Sequence, residues 1–317
     1  MRAYIIRRVL TLIPILIGIS LSIFLIMQLI PGDVVSGMLG IEANPELRAN
    51  LEKKLGLDRP LHEQYLSWIG KAIKGDFGKS FRTDKEIFPE ILNRFKITFQ
   101  LTIMAAVISW LIAIPLGIIS ALKRNTIVDA IVRFIALLGV SVPNFAFATL
   151  SILFLSKVFK YYPPVGYVGL FADPAKNLKI MILPAIILGA IMSGSIMRMT
   201  RSSLLEVMRQ DFIKTIRAKG ASEKLVLFVH ALKNALIPII TLVGMQIGSL
   251  LGGTVVTEQI FSIPGLGQMV LTGINQRDFP VVQGSILFIA FVYVVINIIV
   301  DILYTYIDPR ITFKTGR

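Results

Sequence analysis

The sequence predicts an all-α membrane protein: six transmembrane helices, a large extracytoplasmic loop between spans one and two, and a bent cytoplasmic loop between spans four and five. Three observations lead there. Of 317 residues, 55% are hydrophobic and only 16% are charged, whereas soluble domains carry about 25% charged residues. Six long runs contain no charged residue at all. The basic residues are grouped between those runs in a pattern that fixes orientation.

The first run, Val9–Ile30, follows Arg2, Arg7 and Arg8. At 22 residues it exceeds a signal-peptide core, and Pro31-Gly32-Asp33 is no small-residue cleavage site. Residues 1–30 are therefore read as the N-terminus and a retained span. The others are Ile97–Leu122, Phe134–Ser156, Ile180–Met197, Ala235–Thr257 and Phe279–Val300. At about 1.5 Å of rise per residue, about 20 apolar residues cross a bilayer core of about 30 Å. The chain divides into 1–30, a helical outer loop 31–96, a five-helix core 97–306 with the loop 203–234 inside it, and a cytoplasmic tail 307–317.

An even number of spans puts both termini on one side. The N-terminus, the Lys123–Arg133 turn, the Arg198–Lys233 loop and the C-terminus hold 17 Lys and Arg, against 16 in the opposite segments. Of those 16, 11 fall between Arg48 and Lys96, in a long loop that also carries 10 Asp and Glu. Loops of that length do not count in the positive-inside rule. Without it the comparison is 17 to 5, which places the termini in the cytoplasm. The formal charge of +14 is thus a topology signal and not a nucleic-acid footprint.

In the outer loop, Asn44 is placed to cap a helix opening with Pro45-Glu46, followed by Leu47, Leu51 and Leu55 and terminated by Gly56. A second helix after Pro60 sets Leu61, Tyr65, Trp68 and Ile69 on one side and stops near Gly75. Gly78-Lys79-Ser80 ends like a phosphate-binding loop, but position 73 is Ile where that motif needs Gly. No nucleotide site is expected.

Within the spans, Ser109, Ala113, Gly117 and Ala121 share one face, and Gly244, Gly248 and Gly252 another. Such stripes allow close helix approach. They fit either intrachain packing or a pore or dimer face. Pro115, Pro143 and Pro184 interrupt spans and are read as packing kinks.

The cytoplasmic loop carries the most information. Ser203–Lys219 reads as a helix ended by Gly220 in a left-handed conformation, and Ser222 caps a second helix starting at Glu223. A pre-bent, partly apolar knob of this kind costs little entropy to dock on another protein.

The stretch from Asp211 to Ser222 (DFIKTIRAKGAS), followed by Asn234-Ala235-Leu236-Ile237-Pro238, closely resembles permease subunits of the dipeptide, oligopeptide and nickel class of ABC importers. The likeness covers nearly the whole chain. It includes Tyr4-Ile5-Ile6-Arg7-Arg8, Ile30-Pro31-Gly32-Asp33, residues 55–60 (LGLDRP), Gly75-Asp76-Phe77-Gly78 and Pro163-Pro164-Val165-Gly166. It continues through residues 261–267 (FSIPGLG), residues 278–284 (DFPVVQG) and Asp308-Pro309-Arg310. The long outer loop resembles that of the first of two paired permeases.

The resemblance implies an inner-membrane pore subunit for peptides or a related small solute, with no catalytic centre or cofactor of its own. The implied partners are a homologous permease, two ATPases and an extracytoplasmic solute-binding protein. In that class the bent loop is the coupling helix, which maps here onto Asp211, Thr215, Arg217, Ala218, Lys219, Gly220, Ala221 and Ser222. Ile216 departs from the class, which has Ala there.

Other chemistry is sparse. There is no Cys, and His62 and His230 fall on opposite sides of the predicted membrane. Asp301 is read as facing headgroups or a base, with a proton relay as the other reading. Asn144, Gln246 and Asn297 are the polar candidates for a translocation path. A gradient-driven transporter is the alternative function, but it predicts inverted repeats and midplane charges, and neither is evident. A membrane enzyme needs paired aspartates, a Ser/His pair or a zinc motif in the spans, and none is found.

Overall fold

The computed structural model describes the backbone of residues 2–29 and 44–307. Within these it describes all side chains except those of 2–9, 47–48, 51, 54–55, 253, 301 and 303–307. The Ile30-Pro31-Gly32-Asp33 and Asp308-Pro309-Arg310 motifs, the C-terminal tail, the Leu47, Leu51, Leu55 stripe and the Asp301 side chain therefore lie outside the described residues.

The described elements are helical: α1 (Arg2–Leu29), α2 (Pro45–Leu55), α3 (Leu61–Ile73), α4 (Ile87–Leu122), α5 (Ile127–Ser141), α6 (Asn144–Phe159), α7 (Pro174–Val207) and α8 (Asp211–Ala218). After α9 (Glu223–Leu225) and a π-helical stretch, Val226–Ala231, come α10 (Leu232–Gly253), α11 (Val255–Ile260), α12 (Leu266–Gln276) and α13 (Phe279–Ile307). Five described helices are long and apolar enough to cross a bilayer, and α5 with α6 makes a sixth candidate if the bent pair is one span.

That pair differs from the sequence expectation. The run Phe134–Ser156 is not one kinked helix: α5 and α6 meet at 107°. Pro143 removes an N–H donor and biases Val142 toward extended backbone, and Val142 sits at ψ 125°. The 15 residues of α5 alone rise about 22 Å.

The spine is α4 against α7. Ser109, Ala113, Gly117 and Ala121 are all buried. A Cβ on Gly117 would lie 2.6 Å from Thr200 Cβ, so only glycine permits this approach. The second stripe also packs within the chain. A Cβ on Gly244 would strike Val300 of α13, and one on Gly248 would come within 2.9 Å of Tyr293. Intrachain packing is therefore the role these faces fill.

The local signals of the outer loop hold where described. The Asn44 side chain accepts from the Glu46 N–H, and Gly56 is left-handed at φ 70°. α3 lies across α1: Tyr65 meets Phe24 edge-on at 5.6 Å and shares a 2.9 Å hydrogen bond with Ser20. Trp68 and Ile69 join the same apolar cluster.

Candidate functional site

α7 runs well past its apolar stretch and stops at Val207. The helix expected over Ser203–Lys219 is thus two helices: Gln210 is extended at ψ 150°, and α8 begins at Asp211. Burial explains the break. Ile213 is fully buried in a cluster with Leu204, Val207, Val226, Leu227, Ala231 and Ala235. A straight helix would carry Ile213 away from Val226–Ala231, so the chain turns at residues 208–210 and folds it back. Ile216 packs on the same cluster. The residue that departs from the class is therefore taken up inward instead of being displayed.

Gly220 follows at φ 83°, with no atom within 4 Å of the place a Cβ would occupy. Its requirement is one of backbone conformation, not of space. Ser222 then accepts from the Leu225 N–H at 3.4 Å. Across the bend, Arg217 donates Nε and Nη2 to the two Glu223 oxygens at 2.7 and 3.1 Å. In α8, Lys214 Nζ lies 2.8 Å from Asp211, and Thr215 Oγ1 donates to the Asp211 carbonyl at 3.1 Å. The Lys214 hydrogen bond holds the Asp211 carboxyl below its ordinary range, and Glu223 raises the Arg217 guanidinium above its own. These pairs are exposed and add little stability, and of the two it is Arg217–Glu223 that spans the bend.

The result is a knob anchored by apolar residues beneath and open above. Arg217, Ala218, Lys219, Gly220 and Ser222 are exposed, and Ala221 is half-buried. Phe212 is 36% exposed, and farther along Leu225, Phe228 and Val229 are 44%, 58% and 51% exposed. A partner with a matching apolar groove can cover these without unfolding anything.

The path candidates do not form one cluster. Gln246 on α10 donates to Ser195 Oγ of α7, while its Oε1 is buried without a partner. Asn297 donates to the Tyr293 carbonyl in its own helix, at 2.9 Å. Asn144 is the half-buried first residue of α6. Among the described residues no group of three His, Asp or Glu is placed to hold a metal ion.

Sequence reasoning missed three buried carboxylates. Asp129 is paired with Arg201 at 2.7 Å beneath the knob. Asp278 accepts from Ser80 Oγ at 2.5 Å and the Phe81 N–H at 3.2 Å. Glu258 is fully buried. Its Oε1 accepts from Thr98 at 2.6 Å and Thr254 at 2.9 Å, and its Oε2 accepts from the Gln268 N–H at 2.9 Å. The carboxylate thus sits at the N-terminus of α12, where helix dipole and free N–H groups favour negative charge. A Cβ on Gly265 would collide with the Glu258 carboxylate, so the glycine of the PGLG run makes room for it. The available sequence signal was a lone acid four residues after Thr254, beside a Gly/Pro turn.

This is the architecture of a helical membrane protein with an exposed, bent knob between two of its long helices. Residues 113–313 match the family described as binding-protein-dependent transport system inner membrane component, and residues 1–102 match its N-terminal family. The chain belongs to that family of inner-membrane transport permeases. It is 44% identical to the dipeptide transport system permease protein DppB of Alkalihalophilus pseudofirmus over 99% of this chain and 100% of that one. It is 39% identical to the DppB of Escherichia coli K12, again over 99% and 100%. An inward-facing structure of the MetNI methionine ABC transporter shares the fold, with a TM-score of 0.57 and 17% identity over 69% of this chain and 96% of that one.

Proposed function

We propose that this chain is a pore-forming subunit of an ATP-driven importer of di- or oligopeptides. It pairs with a homologous permease, two ATPase subunits and an extracytoplasmic solute-binding protein. Its termini and the 211–222 knob face the cytoplasm. The observation that carries this reading is the knob itself. It is bent by Gly220, anchored through Ile213 and exposed at Arg217–Gly220, so it is a rigid lever and not a loose loop. Similarity to dipeptide permeases along the full chain supports peptides as the solute. Polar groups such as Gln246 suit a pore that handles peptide backbones, which offer hydrogen bonds in any sequence. ATP-driven closure of the ATPases moves the knob and shifts the population of pore conformations.

The test is reconstitution of the full complex in lipid vesicles, with a labelled dipeptide and ATP. Proline cannot adopt the φ of 83° at position 220. Gly220→Pro is therefore expected to abolish ATP-dependent uptake while the permease still inserts. Retained uptake in that variant would remove the knob from the mechanism. Because the chain has no Cys, Lys219→Cys supplies a unique thiol. Its labelling by an impermeant reagent on intact cells would reverse the orientation.

A further inference from the structure

What the knob pulls on is decided farther up α7. Arg201 lies six residues before the end of α7 at Val207, about 9 Å along the axis. It makes two parallel hydrogen bonds to Asp129, Nε to Oδ1 at 2.7 Å and Nη2 to Oδ2 at 2.8 Å. The Asp129 side chain is wholly buried and that of Arg201 only 21% exposed. Ser120, in the last turn of α4, donates to Oδ1 at 2.6 Å, and the Asn125 N–H donates to Oδ2 at 3.0 Å. Arg133 Nε stands 3.6 Å from Oδ1 on the exposed side. One carboxylate therefore joins the end of α4, the start of α5 and the lower part of α7.

Farther along, α5 meets α7 backbone to backbone. A Cβ on Gly194 would lie 2.5 Å from the Ala136 carbonyl oxygen, and one on Gly139 would lie 3.3 Å from that of Ala190. α5 is thus held to α7 near both ends, by the ion pair at one and by glycine contacts at the other. It then parts from α6 through the 107° turn. A buried ion pair is weak evidence of a stabilising role, since apolar replacement of both partners is often neutral. What two parallel hydrogen bonds add is geometric specificity in how the two helices meet.

We infer that Asp129 and Arg201 are positioning residues for energy transfer. A displacement of the 211–222 knob passes up α7, through their ion pair, to α5 and the end of α4, and the turn at residues 142–143 absorbs it. This rests on the reading of the knob as the ATPase-docking element.

The experiment uses the complete reconstituted complex and reads ATP hydrolysis and dipeptide uptake together. If the parent complex shows no ATP-dependent uptake, the proposed function fails and this inference with it. With an active parent, Asp129→Asn combined with Arg201→Gln removes both charges and leaves neither partner buried alone. Hydrolysis stimulated by the binding protein should stay at the parent level while uptake per ATP falls about tenfold, a size typical of mutations along a coupling network. Arg201→Lys keeps the charge but loses the second hydrogen bond, and should give a smaller fall. It carries the test if the double variant does not assemble. Parent-level uptake per ATP in either assembled variant would overturn the inference, because the pair would then serve folding alone.

Discussion

Glu258→Gln offers the sharpest test of the buried network near α12. The substitution keeps size and shape and changes only charge and donor pattern. If the new Oε1 stays on Thr98 and Thr254, the amide NH2 must face the Gln268 N–H, a donor against a donor. Flipping the amide restores that partner but takes away the acceptor that both threonine hydroxyls now use. Thr98 is further committed, since its Oγ1 accepts from the Leu266 N–H at 2.8 Å. Loss of one charge-assisted hydrogen bond and desolvation of one unpaired donor together come to roughly 3–5 kcal/mol. For a chain of this size that corresponds to a fall in melting temperature of roughly 4–8 °C. The assay is thermal unfolding of the purified chain in detergent, with Ile263→Cys as a reporter, because Ile263 is fully buried beside the network. With Glu258→Gln in place, the reporter thiol should react quickly at temperatures where it is silent on the Glu258 background. Unchanged melting and an unreactive thiol would refute the claim that the charge organises this turn.

Three further outcomes rest on packing and hydrogen bonding. Gly194→Ala should destabilise by about 1–3 kcal/mol, because its methyl meets the Ala136 backbone at 2.5 Å and backbone does not yield cheaply. Gly252→Ala, whose Cβ would find Ile289 at a comfortable 3.9 Å, should be neutral or better by up to about 1 kcal/mol. Denaturant titrations of the two variants side by side separate them. Asp278→Ala removes the acceptor for Ser80 and Phe81. About 2 kcal/mol of lost bonding should open the Ser80–Lys85 turn roughly 30-fold more often. Trypsin cleavage near Arg82 reads that rate.

Features that depend on a few neighbouring residues were legible in the sequence. Asn44 with Pro45, Gly56, and the Gly220–Ser222 bend each carry their own backbone or capping chemistry. Span positions were legible because charge is so costly in lipid. Long-range pairing was not legible. Ser80 and Asp278 are 198 positions apart, Thr98 and Glu258 are 160, and Asp129 and Arg201 are 72. Nothing local marks those partners. The same limit explains the two misjudged helices. Pro143 announces a break, but its angle depends on what α5 packs against. The turn at 208–210 exists because Ile213 needs a buried seat supplied by residues 226–231. The glycine faces illustrate the point again: their spacing showed that something approaches closely, and only the fold showed that it is Val300 and Tyr293.

The turn between α5 and α6 also says where hydrocarbon cannot reach. A chain redirected by 107° cannot continue its helical ladder, so the last carbonyls of α5 and the first N–H groups of α6 lose their regular partners. Acyl tails offer them nothing, and an unsatisfied peptide group there costs several kcal/mol. The Ser141–Asn144 corner must therefore be wetted or covered by protein. It marks a polar spot on a surface where Phe134, Leu137 and Phe145 otherwise face outward at 61%, 53% and 59% exposure.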